Sequence, residues 1–346
     1  MGGRVALKQG GGYSVVDLNE VRLGEDNEFA LRIEPTDGAV SIELSGDRFD
    51  ARPYIKNLIS PSRLGGDGSA DNAPNVTGGT RYVVRANFNT VAAHRGEVIK
   101  DVSASLVARG SQIASATIEG KFLSGLPITV RLTPLEGGRE FKVASADGGA
   151  ALRASNFYSK VAGGELDFQA LMANTPGSPI RKGELTLRRF DVRNEATLAE
   201  LDSRGRPKKS GPRRDGMSFK RLTLPFTTDA KFIRMCDIEL KGNDMGAVAG
   251  GIIRKSDGAL DITGTLIPMQ GLTGFLDDVP LFGPLLTGGD NQGIFGITFA
   301  MGGTIANPKT QANPASALLP GFLRKMSEFR SACSRGRSVA PPKDRN

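Results

Sequence analysis

The chain has no tryptophan, four tyrosines, one histidine and two cysteines, and these shortages exclude several functions before any pattern is read. With His94 as its one histidine, it cannot build a His-rich metal site, and most histidine-based catalytic machinery is ruled out. Cys236 and Cys333 stand 97 residues apart with no C-x-x-C pair, which leaves one disulfide or two free thiols open. No uninterrupted apolar run approaches the roughly 18 residues of a membrane-spanning helix. The nearest stretch, Leu266–Thr287, is broken by Asp277, Asp278 and three prolines. The start, MGGRVALKQGGG, lacks the apolar centre of a secretory signal. The expectation is a chain without a membrane anchor of its own.

Glycine is abundant, at 45 of 346 residues, and it is spread along the chain without a period. That distribution favours many short strands joined by turns over long helices. The net charge of +8 is unevenly placed. Residues 202–216 carry +4 and residues 320–346 carry +5, which leaves the rest of the chain near neutral. A nucleic-acid-binding domain would spread its basic residues over a structured face. Two basic appendages suit anionic lipid headgroups equally well, and a solvated linker is the plain reading of each taken alone.

The dominant period is two. Val40, Ile42 and Leu44 alternate with polar residues, as do Val84, Ala86 and Phe88, then Val102, Ala104, Leu106 and Ala108. The same spacing recurs at Ile128–Leu132, Leu166–Met172, Leu222–Phe226 and Phe295–Met301. Such alternation predicts strands with one apolar and one polar face. Asp37-Gly38, Asp147-Gly148 and Asp257-Gly258 predict tight turns and hence antiparallel meanders. Helices are expected only at Gly149–Lys160, Asn194–Leu201 and Ala317–Arg330. Residues 60–80, rich in Gly, Ser, Pro and Asn, read as a linker, and 203–216 as a basic loop. The expected organisation is an N-terminal β segment over 1–59, the linker over 60–80, a β-rich domain over 81–330 and a basic tail over 331–346.

No motif points to catalysis. Asp277 and Asp278 are adjacent and point opposite ways in an extended segment, so they do not form a carboxylate pair. The stretch Thr287–Gly293 lacks the Lys-Ser/Thr of a phosphate-binding loop and opens a strand, which makes it a turn. No G-x-S-x-G is present. His94 lies between strands in TVAAHRGE and is expected in an exposed loop. No enzyme, metal or cofactor is expected.

The C-terminal third carries a more specific pattern. Gly264–Pro268, Val279–Gly288, Gly293–Phe299, Asn313–Pro314 and Leu318–Arg324 follow one another as a strand end, a Pro/Gly-bounded segment, a strand, an Asn-Pro step and a final Pro-Gly-Phe-Leu-Arg helix. This order resembles the C-terminal region of the AsmA-like family of bacterial cell-envelope proteins. Phe49–Tyr54, Asp147–Ala154 with Gly163-Gly164-Glu165-Leu166, Phe190–Asn194 and Phe219–Phe226 resemble further steps of that family in the same order. Together they span about residues 40–330. The family's N-terminal anchor and long upstream β region have no counterpart here.

The resemblance implies a mainly β fold: a long twisted antiparallel sheet forming an open groove or taco-like assembly, with a few short helices, one near the C-terminus. It implies a periplasmic, normally inner-membrane-anchored protein that carries phospholipid between membranes along an apolar groove and supports the outer membrane. The groove candidates are Leu222, Leu224, Phe226, Phe295, Ile297 and Phe299. Phe322, Arg324, Lys325 and Arg330 are candidates for membrane-surface contact, since a basic helix with a Phe/Leu face suits that interface. Phospholipid and a membrane surface are therefore the expected partners. A second reading is a structural module with a closed β core that contacts an outer-membrane protein. A third, nucleic-acid binding through residues 203–214, is not expected and would show as strongly salt-dependent affinity.

Overall fold

Alternation of apolar and polar residues along nearly every described segment leaves one economical solution: strands laid side by side with all apolar side chains on one face. The computed structural model describes residues 2–7, 13–59, 79–110, 112–173, 180–193, 216–229, 231–243, 245–268, 297–305 and 307–313. They form a single sheet of seventeen strands. The first half holds β1 (Gly2–Leu7), β2 (Tyr13–Arg22), β3 (Glu28–Thr36), β4 (Ala39–Asp50), β5 (Arg81–Ala92), β6 (Val98–Arg109), β7 (Gln112–Phe122), β8 (Pro127–Leu135) and β9 (Gly138–Ser145). The second holds β10 (Val161–Ala173), β11 (Ile180–Arg193), β12 (Gly216–Thr228), β13 (Phe232–Gly242), β14 (Met245–Arg254), β15 (Leu260–Pro268), β16 (Ile297–Thr304) and β17 (Asn307–Asn313). Helix α1 (Arg52–Ile59) follows β4, and α2 (Gly148–Ala154) follows β9.

Each strand pairs with the next in the chain, and all these pairings but one are antiparallel. The exception is β4–β5, which is parallel and in register from Ala39↔Arg81 to Asp50↔Ala92. Parallel neighbours need a long connection rather than a hairpin, and residues 51–80 separate these two strands in the chain. Among the described residues β1 and β17 do not pair with each other, so the sheet is open. Pro308 and Lys309 on β17 blunt that edge against further pairing.

The meander gives the sheet two unlike rims. On one, tight turns close hairpins, with Gly38, Gly137 and Gly258 at positive φ. The other carries α1, α2, the 3-10 turn His94–Gly96, the end of β11 and the start of β12, and the end of β15 and the start of β16. We call these the hairpin rim and the helical rim.

Bulges keep the two-residue period in step. On β6 the register shifts between Lys100 and Ser103, and Asp101 takes a positive φ of 52°. On β13 it shifts between Met235 and Ile238, with Asp237 at 56°. A left-handed non-glycine residue costs on the order of 1–3 kcal/mol. In return Ile99 and Val102, three apart in sequence, share the apolar face, and so do Met235 and Ile238. Each bulge also increases local twist.

Several sequence expectations change. Asp147-Gly148 does not close a hairpin: Asp147 is the N-cap of α2, its carboxylate accepting from the Ala150 amide at 3.0 Å. That helix is shorter than expected, ending at Ala154 with Asn156 at positive φ. Helix α1 was not anticipated from the sequence; Pro53 in its first turn is its start signal. His94 begins a 3-10 turn and is half-buried rather than exposed. Cys236, on β13, is disulfide-bonded. The expected helices at Asn194–Leu201 and Ala317–Arg330 lie outside the described residues.

Candidate functional site

Residues paired directly across strands share a face, so the registers trace what that face offers. One row runs through every strand: Val5, Val16, Ile33, Ile42, Val84, Leu106, Ala116, Leu132, Phe141, Ala170, Gly183, Phe226, Met235, Gly251, Ile262, Met301 and Thr310. Sixteen of these seventeen residues are apolar or glycine. At about 4.8 Å per strand the row is roughly 75 Å long. A second row, two residues toward the helical rim, contains Leu18, Leu31, Leu44, Ala86, Ala104, Ile118, Val130, Val143, Phe168, Leu185 and Leu224.

The other face is its chemical opposite. Arg4, Asp17, Arg32, Glu43 and Arg85 form a cross-strand row of alternating charge. Arg32–Asp17 and Arg85–Glu43 each approach to 3.9 Å. A longer row through Ser45, Asn87, Ser103, Glu119, Thr129, Asp167, Thr186, Thr223, Glu239, Thr265 and Thr298 is largely polar. Ser45, Asn87, Ser103, Glu119 and Asp167 on that row are exposed, while Thr186 and Thr265 are buried.

Two mechanisms cover the apolar face, and they cover different parts. At the helical rim α2 lies on β10 and β11, and Ala150, Ala151, Leu152 and Ala154 bury Leu166, Leu187, Phe190, Phe219, Phe122 and Met245. Gly148 and Gly149 permit this approach. A Cβ on Gly148 would stand 2.6 Å from Leu187, and one on Gly149 2.6 Å from the Val161 carbonyl. Arg153 of α2 donates to Glu97 at 2.6 Å and to the Val161 carbonyl at 2.9 Å. Nearby, α1 brings Tyr54 against Phe49, which stacks on Phe88 with ring centres 4.9 Å apart.

Over the through-going row the described residues provide no second layer. Val84, Leu106 and Leu132 belong to neither buried cluster and are only half-buried. Ala170 and Met235, on the same row, are nonetheless buried. Larger cross-strand neighbours, Phe141 beside Ala170 and Phe226 beside Met235, crowd these positions of the face. Phe226 and Phe299 floor it in a particular way. Phe226 pairs with Gly183 and Phe299 with Gly264. A Cβ at either glycine would meet the partner ring at 2.5 or 2.6 Å. Each ring lies across a strand that offers no side chain, and Phe226 then stacks on Phe168 at 5.9 Å.

Among the described residues one charge interrupts the face. Arg139 on β9 is buried near the hairpin rim and donates to the Ile113 carbonyl at 2.7 Å. Burial pulls its guanidinium below the usual arginine range. Among the described residues no three His, Cys, Asp or Glu side chains converge as metal ligands.

Of the groove residues expected from sequence, Leu222, Leu224, Phe226 and Phe299 fall on the apolar face. Leu222 packs against the α2 cluster, in a row with Leu187 and Leu240. Ile297 is paired with Leu266 in the β15–β16 register. Phe295, and the membrane-contact residues Phe322, Arg324, Lys325 and Arg330, lie outside the described residues. Sequence reading missed the first half of the face, Val16 to Leu132, although alternation had marked those strands. It also missed Gly183 and Gly264, whose role appears only once their cross-strand partners are known.

No family model matches this chain, and neither a curated protein nor a solved structure matches it. Fold and site together define a class: an open, one-sided β meander whose apolar face carries one row running through every strand.

Proposed function

We propose that this chain is a non-enzymatic lipid-handling protein of the AsmA-like type, which holds phospholipid acyl chains on the apolar face of its sheet. The observation that carries this reading is the seventeen-strand row, half-buried along most of its length. Each methylene moved from water onto such a face gains about 0.8 kcal/mol without any directional contact. An unbroken row lets an acyl chain be exchanged between adjacent strands, as conduction along a groove requires. Placement in the bacterial cell envelope, between inner and outer membranes, follows from the family resemblance. The same resemblance supports a role in outer-membrane integrity.

The test is native mass spectrometry with lipid extraction on the chain purified without detergent. Phospholipid in reproducible stoichiometry is the expected result, and Leu106→Asp should remove it while leaving the fold intact. A folded, lipid-free wild-type monomer would instead favour a structural module that meets an outer-membrane partner.

A further inference from the structure

Nine large apolar side chains among the described residues are exposed, and six of them sit on the helical rim. Leu23 caps the β2–β3 turn, Tyr54 is on α1, Leu123 and Leu126 form the β7–β8 turn, and Phe157 and Tyr158 follow α2. The hairpin rim has one, Leu135. Both rims lie at strand ends, so strand pairing by itself does not call for this asymmetry.

The exposure is built in. In the β7–β8 turn the Phe122 amide donates to Leu126 O and Gly125 to Phe122 O, both at 2.9 Å, which holds Leu123, 61% exposed, outward. Ser124 ties that turn to α2 by donating to Asp147 at 3.1 Å. At the other end of α2, Arg95 from the 3-10 turn donates to Asn156 at 2.8 Å. The Phe157 amide then bonds to Leu152 O at 3.0 Å. Four apolar tips are thereby fixed around one short helix that is itself anchored in the buried cluster. Exposed Arg95 and Lys121 flank them. β11 ends and β12 begins at this rim, and the sequence between them carries +4 over residues 202–216.

We propose that the helical rim, centred on Leu123, Leu126, Phe157 and Tyr158, is a docking surface for an anionic lipid bilayer. Separate Leu, Phe and Tyr tips flanked by cations suit an interface in which the tips enter the headgroup layer and the cations meet phosphate. This extends the membrane contact expected of the C-terminal segment to a second surface. It would set the sheet with its helical rim on the membrane and its apolar face opening alongside. It does not depend on that face holding lipid.

Because the chain has no tryptophan, Leu123→Trp installs a unique fluorophore at the patch, and Leu135→Trp does so on the opposite rim. Each full-length variant is mixed with vesicles of phosphatidylcholine, alone or with phosphatidylglycerol. The Leu123→Trp emission should shift to the blue with anionic vesicles and be quenched by brominated acyl chains, while Leu135→Trp stays unchanged. The triple variant Leu123→Ser/Leu126→Ser/Phe157→Ser should lose about tenfold or more in vesicle partitioning. No response at Leu123→Trp, equal responses at both rims, or unaltered partitioning of the triple variant overturns the proposal. So does a triple variant that loses self-association where the wild type never bound vesicles, because the patch is then a protein interface. Co-purified lipid reads the apolar face separately, and the triple variant should retain it.

Discussion

Leu185 and Leu187 stand two residues apart on β11, point to the same face and have cross-strand partners of the same kind, Phe168 and Leu224 for one, Leu166 and Leu222 for the other. Yet Leu187 is 1% exposed and Leu185 only half-buried. The difference is α2, which covers the end of the strand that holds Leu187. The helical-rim end of the apolar face is therefore protein core. The remainder, from Val16 to Met301, is apolar surface the described chain does not close. Two functions share one sequence pattern, because a strand's alternation is the same whether its apolar side meets a helix or a ligand.

The largest expected effect breaks the covered half. Leu187→Asp places an unpaired charge under α2 and should cost about 4 kcal/mol or more, enough to abolish the cooperative thermal transition. An intact transition would mean that α2 does not seal this site. Gly149→Val should follow, at about 1–3 kcal/mol, because its side chain meets the Val161 carbonyl and the Gly163 amide and must lift the helix. Chemical denaturation reads this directly, and an unchanged midpoint would remove close approach as the reason for that glycine. Leu106→Asp belongs to the uncovered half, where the same chemical change should cost less than about 1 kcal/mol, the usual range for surface sites. The loss there should be of lipid rather than of fold. Equal destabilisation by Leu106→Asp and Leu187→Asp would erase the distinction between the halves.

The smallest effect separates the two helices. Asp50 accepts from Arg52 Nε at 2.8 Å and from the Arg52 amide at 3.0 Å, and these bonds, foremost the one from the side chain, hold its carboxyl below the usual carboxylate range. A carboxylate depressed by folding stabilises fully above its unfolded pKa, about 3.9, and the contribution is lost as pH falls through the folded value. Tyr54 should therefore leave its stack on Phe49 below about pH 4, as read by its NMR shifts. The α2 amides, protected by apolar burial, should stay slow to exchange. Simultaneous release of both would show one cooperative unit.

Much of the fold was legible because a strand's side-chain period is a local property. Ile128, Val130 and Leu132 alternate visibly, and their register partners Ser145, Val143 and Phe141 fall on the same face. Where a bulge inserts a residue, as at Asp101 and Asp237, the period skips and strict alternation no longer identifies the face. Asp147-Gly148 has the composition of a hairpin turn, but its carboxylate caps a helix, which depends on what the next three residues pack against. Gly183 and Gly264 look like weak points in strands. Their use beneath Phe226 and Phe299 requires knowing which strand lies alongside. In the candidate site, the chemistry of the face was readable, but its length was not.

By itself the sequence determined that this protein is built of amphipathic strands, with one apolar and one polar side, and that its inventory cannot supply a histidine-rich metal site. Those conclusions rest on residue type and spacing, which act over a few positions of the chain. Only the tertiary structure decided that the strands pair in chain order into one open sheet, that one apolar row runs unbroken from β1 to β16, and that α2 closes one end of the face while the described chain leaves the rest uncovered. Burial is set by what lies above a side chain, and that neighbour is usually tens of residues away.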